Sequence, residues 1–302
     1  MIDIPLVLQK ILVNLIIVPF RAPKSTKLYQ RLWTDKGSPL LYFSEQVKSE
    51  LQKKLDSKAD VFLAMRYGNP SIGKALSVVQ KGNYDQVVIF PMFPQYASST
   101  NGTAIQAVID QIRQWNTIPE IHAVNQFYDH PAFLDAFTER IQSYQPENFD
   151  HVVFSYHGLP NRHLEKNHPE ESINTCNCET ALPEFGKFCY KATCYQTTRE
   201  LASRLGLKSD KYSVSFQSRL SNNWMTPFTD KNLISRAKQG SKNILVVAPA
   251  FVADCLETTV EIGWEYKEMF IENGGENLQM VESLNDSPSW IAAMEEILTP
   301  YI

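Results

Sequence analysis

Residues 151–160 read His151-Val152-Val153-Phe154-Ser155-Tyr156-His157-Gly158-Leu159-Pro160. The run His151–Ser155 is short, apolar and rich in β-branched residues, and a Gly-Leu-Pro turn follows it. Such a run, bounded by turn signals, predicts a buried strand. Similar runs recur at Val61–Met65, Gln86–Phe90, Ile121–Val124, Tyr212–Phe216, Asn243–Ala248 and Leu278–Val281. Amphipathic segments alternate with them: Ser71–Val79, Thr100–Trp115, Pro131–Tyr144, Thr193–Leu205, Lys231–Gln239, Leu256–Glu272 and Ser287–Leu298. Strand–helix alternation predicts an α/β protein with parallel sheets flanked by helices. In open parallel sheets, ligands bind beyond the carboxyl ends of the strands, so the residues just past each run are the first to inspect.

At 302 residues, with 43% hydrophobic and 21% charged side chains, the chain is long enough for two globular halves. Val61–Pro70 and Val152–Pro160 both read as a strand followed by a Gly-x-Pro turn, which hints at an internal duplication. The polar stretch Gln145–Phe149, holding Pro146, marks the expected boundary. A net charge of −4 argues against a nucleic-acid partner, which would demand a basic face. No Gly-x-Gly-x-x-Gly motif or phosphate-cradling loop supports nucleotide binding.

Asp3 stands where a secretory leader would be basic, and no small-residue cleavage site follows. The expected compartment is therefore the cytoplasm. The apolar run Ile4–Phe20, interrupted by Gln9, Lys10 and Asn14, is too short and too broken to span a bilayer comfortably. It reads either as a buried core helix or as an apolar lip that touches the inner membrane face peripherally.

Three strand ends carry candidate chemistry: Met65-Arg66-Tyr67-Gly68, Ser155-Tyr156-His157-Gly158, and Pro249–Glu257. An imidazole such as His157 is both a proton acceptor near neutral pH and a metal ligand, although a strand-end histidine can equally be structural. On an α-helical wheel, Glu257, Glu261, Glu265, Glu268 and Glu272 share one stripe. The outer pair, Glu268 and Glu272, reads as a solvated face. Glu257 and Glu261, next to the strand end, offer oxygens to a divalent cation and a path for protons. Asp254 belongs to the same strand end, and Cys255 beside it reads as a small side chain in the site wall. Four cysteines, Cys176, Cys178, Cys189 and Cys194, crowd one segment, and in a reducing compartment clustered thiols are ligands rather than disulfides. The single-residue gap in Cys176-x-Cys178 counts mildly against zinc, but spacing alone leaves zinc and an iron–sulfur cluster both open.

Taken together these segments resemble the ferrochelatases. The resemblance runs through Phe20-Arg21, Gly37-Ser38-Pro39, Met65 to Pro70, Pro94-Gln95-Tyr96, Phe154 to Pro160, Phe216-Gln217-Ser218-Arg219, Trp224, Thr229-Asp230, Pro249 to Thr258 and Glu282-Ser283-Leu284-Asn285. It implies two flavodoxin-like, chelatase-like domains around a porphyrin cleft. They would comprise residues 1–147, joined by a last helix at 287–302, and residues 148–286 with a cysteine-rich insert at 174–195. The implied activity is that of a lyase, insertion of ferrous iron into a porphyrin, with protoporphyrin IX the expected substrate; the runners-up are another tetrapyrrole chelatase and a non-catalytic haem or metal carrier. His157 and Glu257 would be the catalytic pair that meets the substrate Fe2+, with Glu261, Glu265 and Asp254 as a proton or metal relay. Arg66, Tyr67 and Phe251 would line the porphyrin pocket, and Trp224 and the N-terminal apolar helix would form its lips.

The same resemblance implies a [2Fe–2S] cluster on Cys176, Cys178, Cys189 and Cys194, far from the proton chemistry. The pattern with one ligand in the first-half loop is not met, since Ser98 stands there. Members of the family also begin with a strand and a Gly-x-Pro turn upstream of Met1-Ile2-Asp3-Ile4-Pro5, so the natural start is expected to lie earlier. A sheet without that strand would leave its neighbours' backbone groups unpaired.

Overall fold

Strand formation is decided by which apolar runs find a neighbouring strand to bond with. In the computed structural model, which describes residues 18–168, 172–173 and 175–302, the run at His151 lies in the middle of a sheet. The strands are β1 (Gln86–Ile89), β2 (Glu120–Ala123), β3 (His151–His157), β4 (Tyr212–Gln217), β5 (Asn243–Val247) and β6 (Asn277–Met280). The four later strands form one sheet in the order β4-β3-β5-β6, and every pairing is parallel. Val153, Phe154, Leu245 and Val246 have no exposed surface, as strands covered by helices on both faces require. The register sets His157 beside Gln217 at the carboxyl ends of β3 and β4.

Each crossover in this half is helical. Tyr190–Arg204 joins β3 to β4, Thr229–Lys238 joins β4 to β5, and Leu256–Glu272 joins β5 to β6. The last of these departs from expectation. Leu256–Tyr266 is a π-helix, and only Lys267–Glu272 is α-helical. A second π-helical turn, Ser98–Gly102, precedes the helix Thr103–Ile112. Elsewhere the local chemistry is ordinary: Ser71 and Ser287 cap Ile72–Gly82 and Pro288–Leu298 by accepting from the Lys74 and Trp290 amides.

In the first half, β1 and β2 pair in parallel, Gln86 with Glu120, and they form the whole of their sheet among the described residues. The expected strand at Val61–Met65 is not one. Its first four residues have no secondary structure, and Met65 makes only an isolated bridge to Ser71. A parallel strand exists only through a neighbour's hydrogen bonds, and none of the described strands lies against this segment. Two further helices, Val18–Leu32 and Pro39–Leu55, complete this half.

The largest core cluster crosses the boundary between the halves, joining Phe133, Phe137 and Trp290 to Phe154, Tyr156, Leu245 and Leu284. Trp290 stacks on Phe127 at 5.7 Å between ring centroids, and its helix Pro288–Leu298 packs on Pro39–Leu55 and Pro131–Gln142. Burying side chains of this kind contributes roughly 1.5–3 kcal/mol each. Most of the apolar run Ile4–Phe20 lies outside the described residues. Among those described, no helix is long and apolar enough to cross a membrane.

Candidate active site and metal centre

His157 is the last residue of β3, and its backbone carries the chain into Gly158. A Cβ at Gly158 would approach the Gln217 carbonyl to 3.0 Å, so any other residue there would push the two strand ends apart by a few tenths of an ångström. The His157 Nδ1 lies 2.7 Å from the Gly158 carbonyl. A carbonyl can only accept, so Nδ1 carries a proton and donates it, which leaves the Nε2 lone pair of the neutral ring as the base. The ring sits 6.3 Å from that of Trp224, whose backbone bridges Pro160. The His157 carbonyl accepts from the Tyr190 hydroxyl at 2.9 Å.

Gln217 ties this strand end to the acidic segment. Its side-chain carbonyl accepts from Ser155 at 2.7 Å, while its Nε2 donates to the Glu257 carbonyl at 3.0 Å and to Glu261 at 3.3 Å. Ser218 takes a left-handed conformation, φ +62°, and donates both its amide (2.8 Å) and its hydroxyl (2.5 Å) to Glu261. Tyr266 donates a fourth bond to Glu261 at 2.6 Å. The i→i+5 geometry of the π-helix is what stacks Tyr266 over Glu261. The single stripe drawn on an α-helical wheel is therefore corrected. Glu257 and Glu261 are half-buried, Glu261 is held by four donors, and Glu265 is exposed with Glu268 and Glu272. Glu257, in the first turn, has its carboxylate near the helix N-terminus, where negative charge is favoured.

The first half reaches this face through the helix Val18–Leu32, which packs on the π-helix. Arg31 lies 4.8 Å above the Trp264 ring. The Tyr29 hydroxyl holds its proton more tightly than usual, first through burial and then through the negative potential of Glu257 and Cys255. Tyr29 is thus within electrostatic reach of Glu257, a relation sequence reasoning missed. Asp254 is buried and fully engaged: Thr258 and the Ser283 amide donate to one oxygen and Asn285 to the other. It fastens the Phe251–Cys255 loop to residues 283–285. Phe251 is half-buried against the second core cluster. Arg66 donates to the Thr103 carbonyl at 3.1 Å and lies 4.7 Å above Tyr67, which is 71% exposed. Arg219 of the Phe-Gln-Ser-Arg segment forms a two-pronged ion pair with Asp230. Two surface depressions, one lined by Val79, Tyr84 and Trp115 and the other by Pro131, Glu139 and Ala292, contain none of these residues.

The cysteine insert makes a second centre. Cys178, Cys189 and Cys194 are buried and Cys176 is half-buried. Cys178 and Cys189 meet a residue absent from the expected set, His168; one ligand atom from each of the three lies within 4.8 Å of the others. Cys189 is the N-cap of Tyr190–Arg204. Its thiol is made more acidic than usual, chiefly by hydrogen bonding with Cys178, whose own proton is held correspondingly tightly. A buried set of sulfurs plus an imidazole is the donor chemistry of zinc and iron–sulfur sites, so the residues present fit such a group. Cys189 adjoins Tyr190, whose hydroxyl bonds the His157 carbonyl, so one residue connects the insert to the end of β3.

A family model described as Ferrochelatase matches residues 1–301. The chain is 41% identical to the ferrochelatase of Legionella pneumophila (strain Paris) over 304 residues, covering 100% of this chain and 90% of that relative. It is 39% identical to the ferrochelatase of Coxiella burnetii (strain Dugway 5J108-111) over 302 residues, covering 98% and 83%. Among solved structures, SirB from Bacillus subtilis with Fe3+ superposes with a TM-score of 0.55 over 87% of this chain and 91% of that one. CbiX, the terminal enzyme of siroheme biosynthesis in denitrifying bacteria, gives 0.51 over 88% and 95%. Both are 11% identical and show the fold alone, that of the chelatases.

Proposed function

The chain belongs to the ferrochelatase family, and from that premise we propose that His157 and Glu257 carry out the proton chemistry of its reaction. The function is insertion of iron into a porphyrin to make haem. A free-base porphyrin must lose two pyrrole N–H protons as a divalent metal enters. His157 Nε2, left with its lone pair by the Nδ1 bond, takes one of them. Glu257 takes the other as it steers the incoming Fe2+, and Glu261 and exposed Glu265 continue the path outward to solvent. Asp254 acts through position, holding the loop that precedes Glu257. Bending the macrocycle exposes nitrogen lone pairs to both groups, a distortion imposed by binding.

The observation that carries this reading is Gln217, one side chain that fixes the His157 strand end and the Glu257 helix start in a common frame. Arg66, Tyr67, Phe251 and Trp224 supply the aromatic and cationic walls for protoporphyrin IX. The halves 1–147 and 148–286 would then form the jaws of the cleft, with the reaction classed as a lyase's. The segment 4–20, of which all but the last few residues lie outside the described ones, is the proposed peripheral membrane contact of a cytoplasmic protein. The insert carries a [2Fe–2S] cluster whose thiolates come from among Cys176, Cys178, Cys189 and Cys194.

The test is an anaerobic assay with ferrous iron and, separately, protoporphyrin IX and coproporphyrin. Protoporphyrin should be converted to haem, and Glu257→Gln should slow that conversion roughly 100-fold or more. A variant as fast as the wild type would remove Glu257 from the chemistry.

A further inference from the structure

His168 follows the short helix Asn161–Glu165 and is buried in the cysteine insert. Its two ring nitrogens face different groups. Nδ1 lies 2.8 Å from the Leu164 carbonyl, whereas Nε2 lies 3.3 Å from the Cys178 sulfur and 3.6 Å from that of Cys189. The carbonyl can only accept, so Nδ1 is the protonated nitrogen and the Nε2 lone pair points at the two thiols. A ligating imidazole is oriented in just this manner, its far N–H bonded to a backbone carbonyl. Phe185 packs edge-on against the ring at 5.1 Å and keeps it from turning.

The distances discriminate further. With metal–nitrogen and metal–sulfur bonds of about 2.0 and 2.3 Å, the nitrogen–sulfur edge of a tetrahedron is about 3.5 Å. The two observed separations straddle that value. We propose that His168 is a ligand, through Nε2, of the metal centre in the cysteine insert, which it shares with Cys176, Cys178 and Cys189. The proposal rests on the reading that the insert holds a metal centre, and it changes the ligand set from four thiolates to three and one imidazole.

Cys176, half-buried and two residues ahead of Cys178, supplies the fourth ligand. Cys194 is the cysteine left out: it is fully buried in the helix Tyr190–Arg204, five residues beyond Cys189, and lies outside the group that His168, Cys178 and Cys189 form. An imidazole in place of one thiolate makes the ligand shell one unit less negative. The reduced centre then gains less repulsion with the added electron, so its reduction potential is higher than that of an all-cysteine site.

The full chain, purified anaerobically, is analysed for iron, acid-labile sulfide and zinc, and then reduced with dithionite for electron paramagnetic resonance. Protein labelled with 15N-histidine should show a nitrogen hyperfine coupling that differs from that of unlabelled protein. His168→Ala should lose most of the bound metal, and Cys194→Ser should keep all of it. His168→Cys should restore the metal, without nitrogen coupling and with a lower potential; thermal melts confirm that each variant is folded. Absence of nitrogen coupling, or full metal in His168→Ala with loss in Cys194→Ser, overturns the proposal and leaves an all-cysteine cluster. If the wild type contains zinc and neither iron nor sulfide, the cluster reading fails and cobalt(II) replaces zinc as probe. Loss of the cobalt visible bands in His168→Ala then supports His168, and retained bands overturn it. A wild type that binds no metal overturns both.

Discussion

The two sheets of this protein differ in depth, and the difference locates the chemistry. The sheet β4-β3-β5-β6 is built of strands whose central residues are closed to water. The sheet β1-β2 has two strands of four residues, most of them half-exposed. His157, Gln217 and the start of the acidic helix all stand at the carboxyl end of the deep sheet. The shallow half contributes Tyr29, Arg31, Arg66 and Tyr67, side chains on helices and loops rather than on strand ends. A proton acceptor must be held to within a few tenths of an ångström, and a helix-covered parallel sheet provides that rigidity. A planar, largely apolar substrate asks only for surface, which loops can supply.

If the deep sheet is the rigid frame, truncation there should hurt far more than in the shallow one. Ile244→Ala, in β5 with no exposed surface, should cost roughly 2–5 kcal/mol. Ile121→Ala, half-buried in β2, should cost roughly 1 kcal/mol. Urea unfolding of both variants measures the contrast, and equal losses would break it.

The deep sheet should also be the acid-sensitive one. His151 opens β3, buried and bonded to Ser213 at 3.0 Å. Burial first, and the nearby Arg236 second, pull its pKa from 6.5 down to about 4. Below pH 6.5 the unfolded chain takes up a proton that the folded chain refuses. This contribution is therefore complete above the unfolded value and is lost as pH falls toward the folded one. It amounts to about 2 kcal/mol between pH 7 and pH 5. Denaturant titrations of the wild type and of His151→Gln at both pH values isolate it; an unchanged pH dependence in the variant would remove His151 as the cause.

The smallest effect expected concerns the bridge between the centres. Tyr190→Phe removes the donor to the His157 carbonyl, worth about 1 kcal/mol. Haem formation should slow several-fold while metal content of the insert stays constant. Loss of metal instead would show that Tyr190 serves the insert rather than His157.

Much of this was legible in the sequence, for identifiable reasons. Apolar β-branched runs located six strands, and in the deep sheet burial on both faces leaves a continuous signal. Val61–Met65 carried the same signal but no ladder, since a run reports a side-chain environment and not the presence of a neighbour. The π-helix left no trace, because four-residue glutamate spacing fits an α-helical wheel just as well. His157 and Glu257 could be found from strand ends; Gln217, Tyr29 and His168 could not, because their roles arise from contacts with residues distant in sequence or, for His168, from a ring orientation that only coordinates reveal.

The central claim is that His157 Nε2 removes a pyrrole proton while playing little part in holding the ring. It is tested by measuring, for His157→Ala under anaerobic conditions, both protoporphyrin binding and single-turnover iron insertion. The account predicts affinity within about twofold of the wild type and insertion slowed roughly 10²–10⁴-fold. Insertion at the wild-type rate would contradict it.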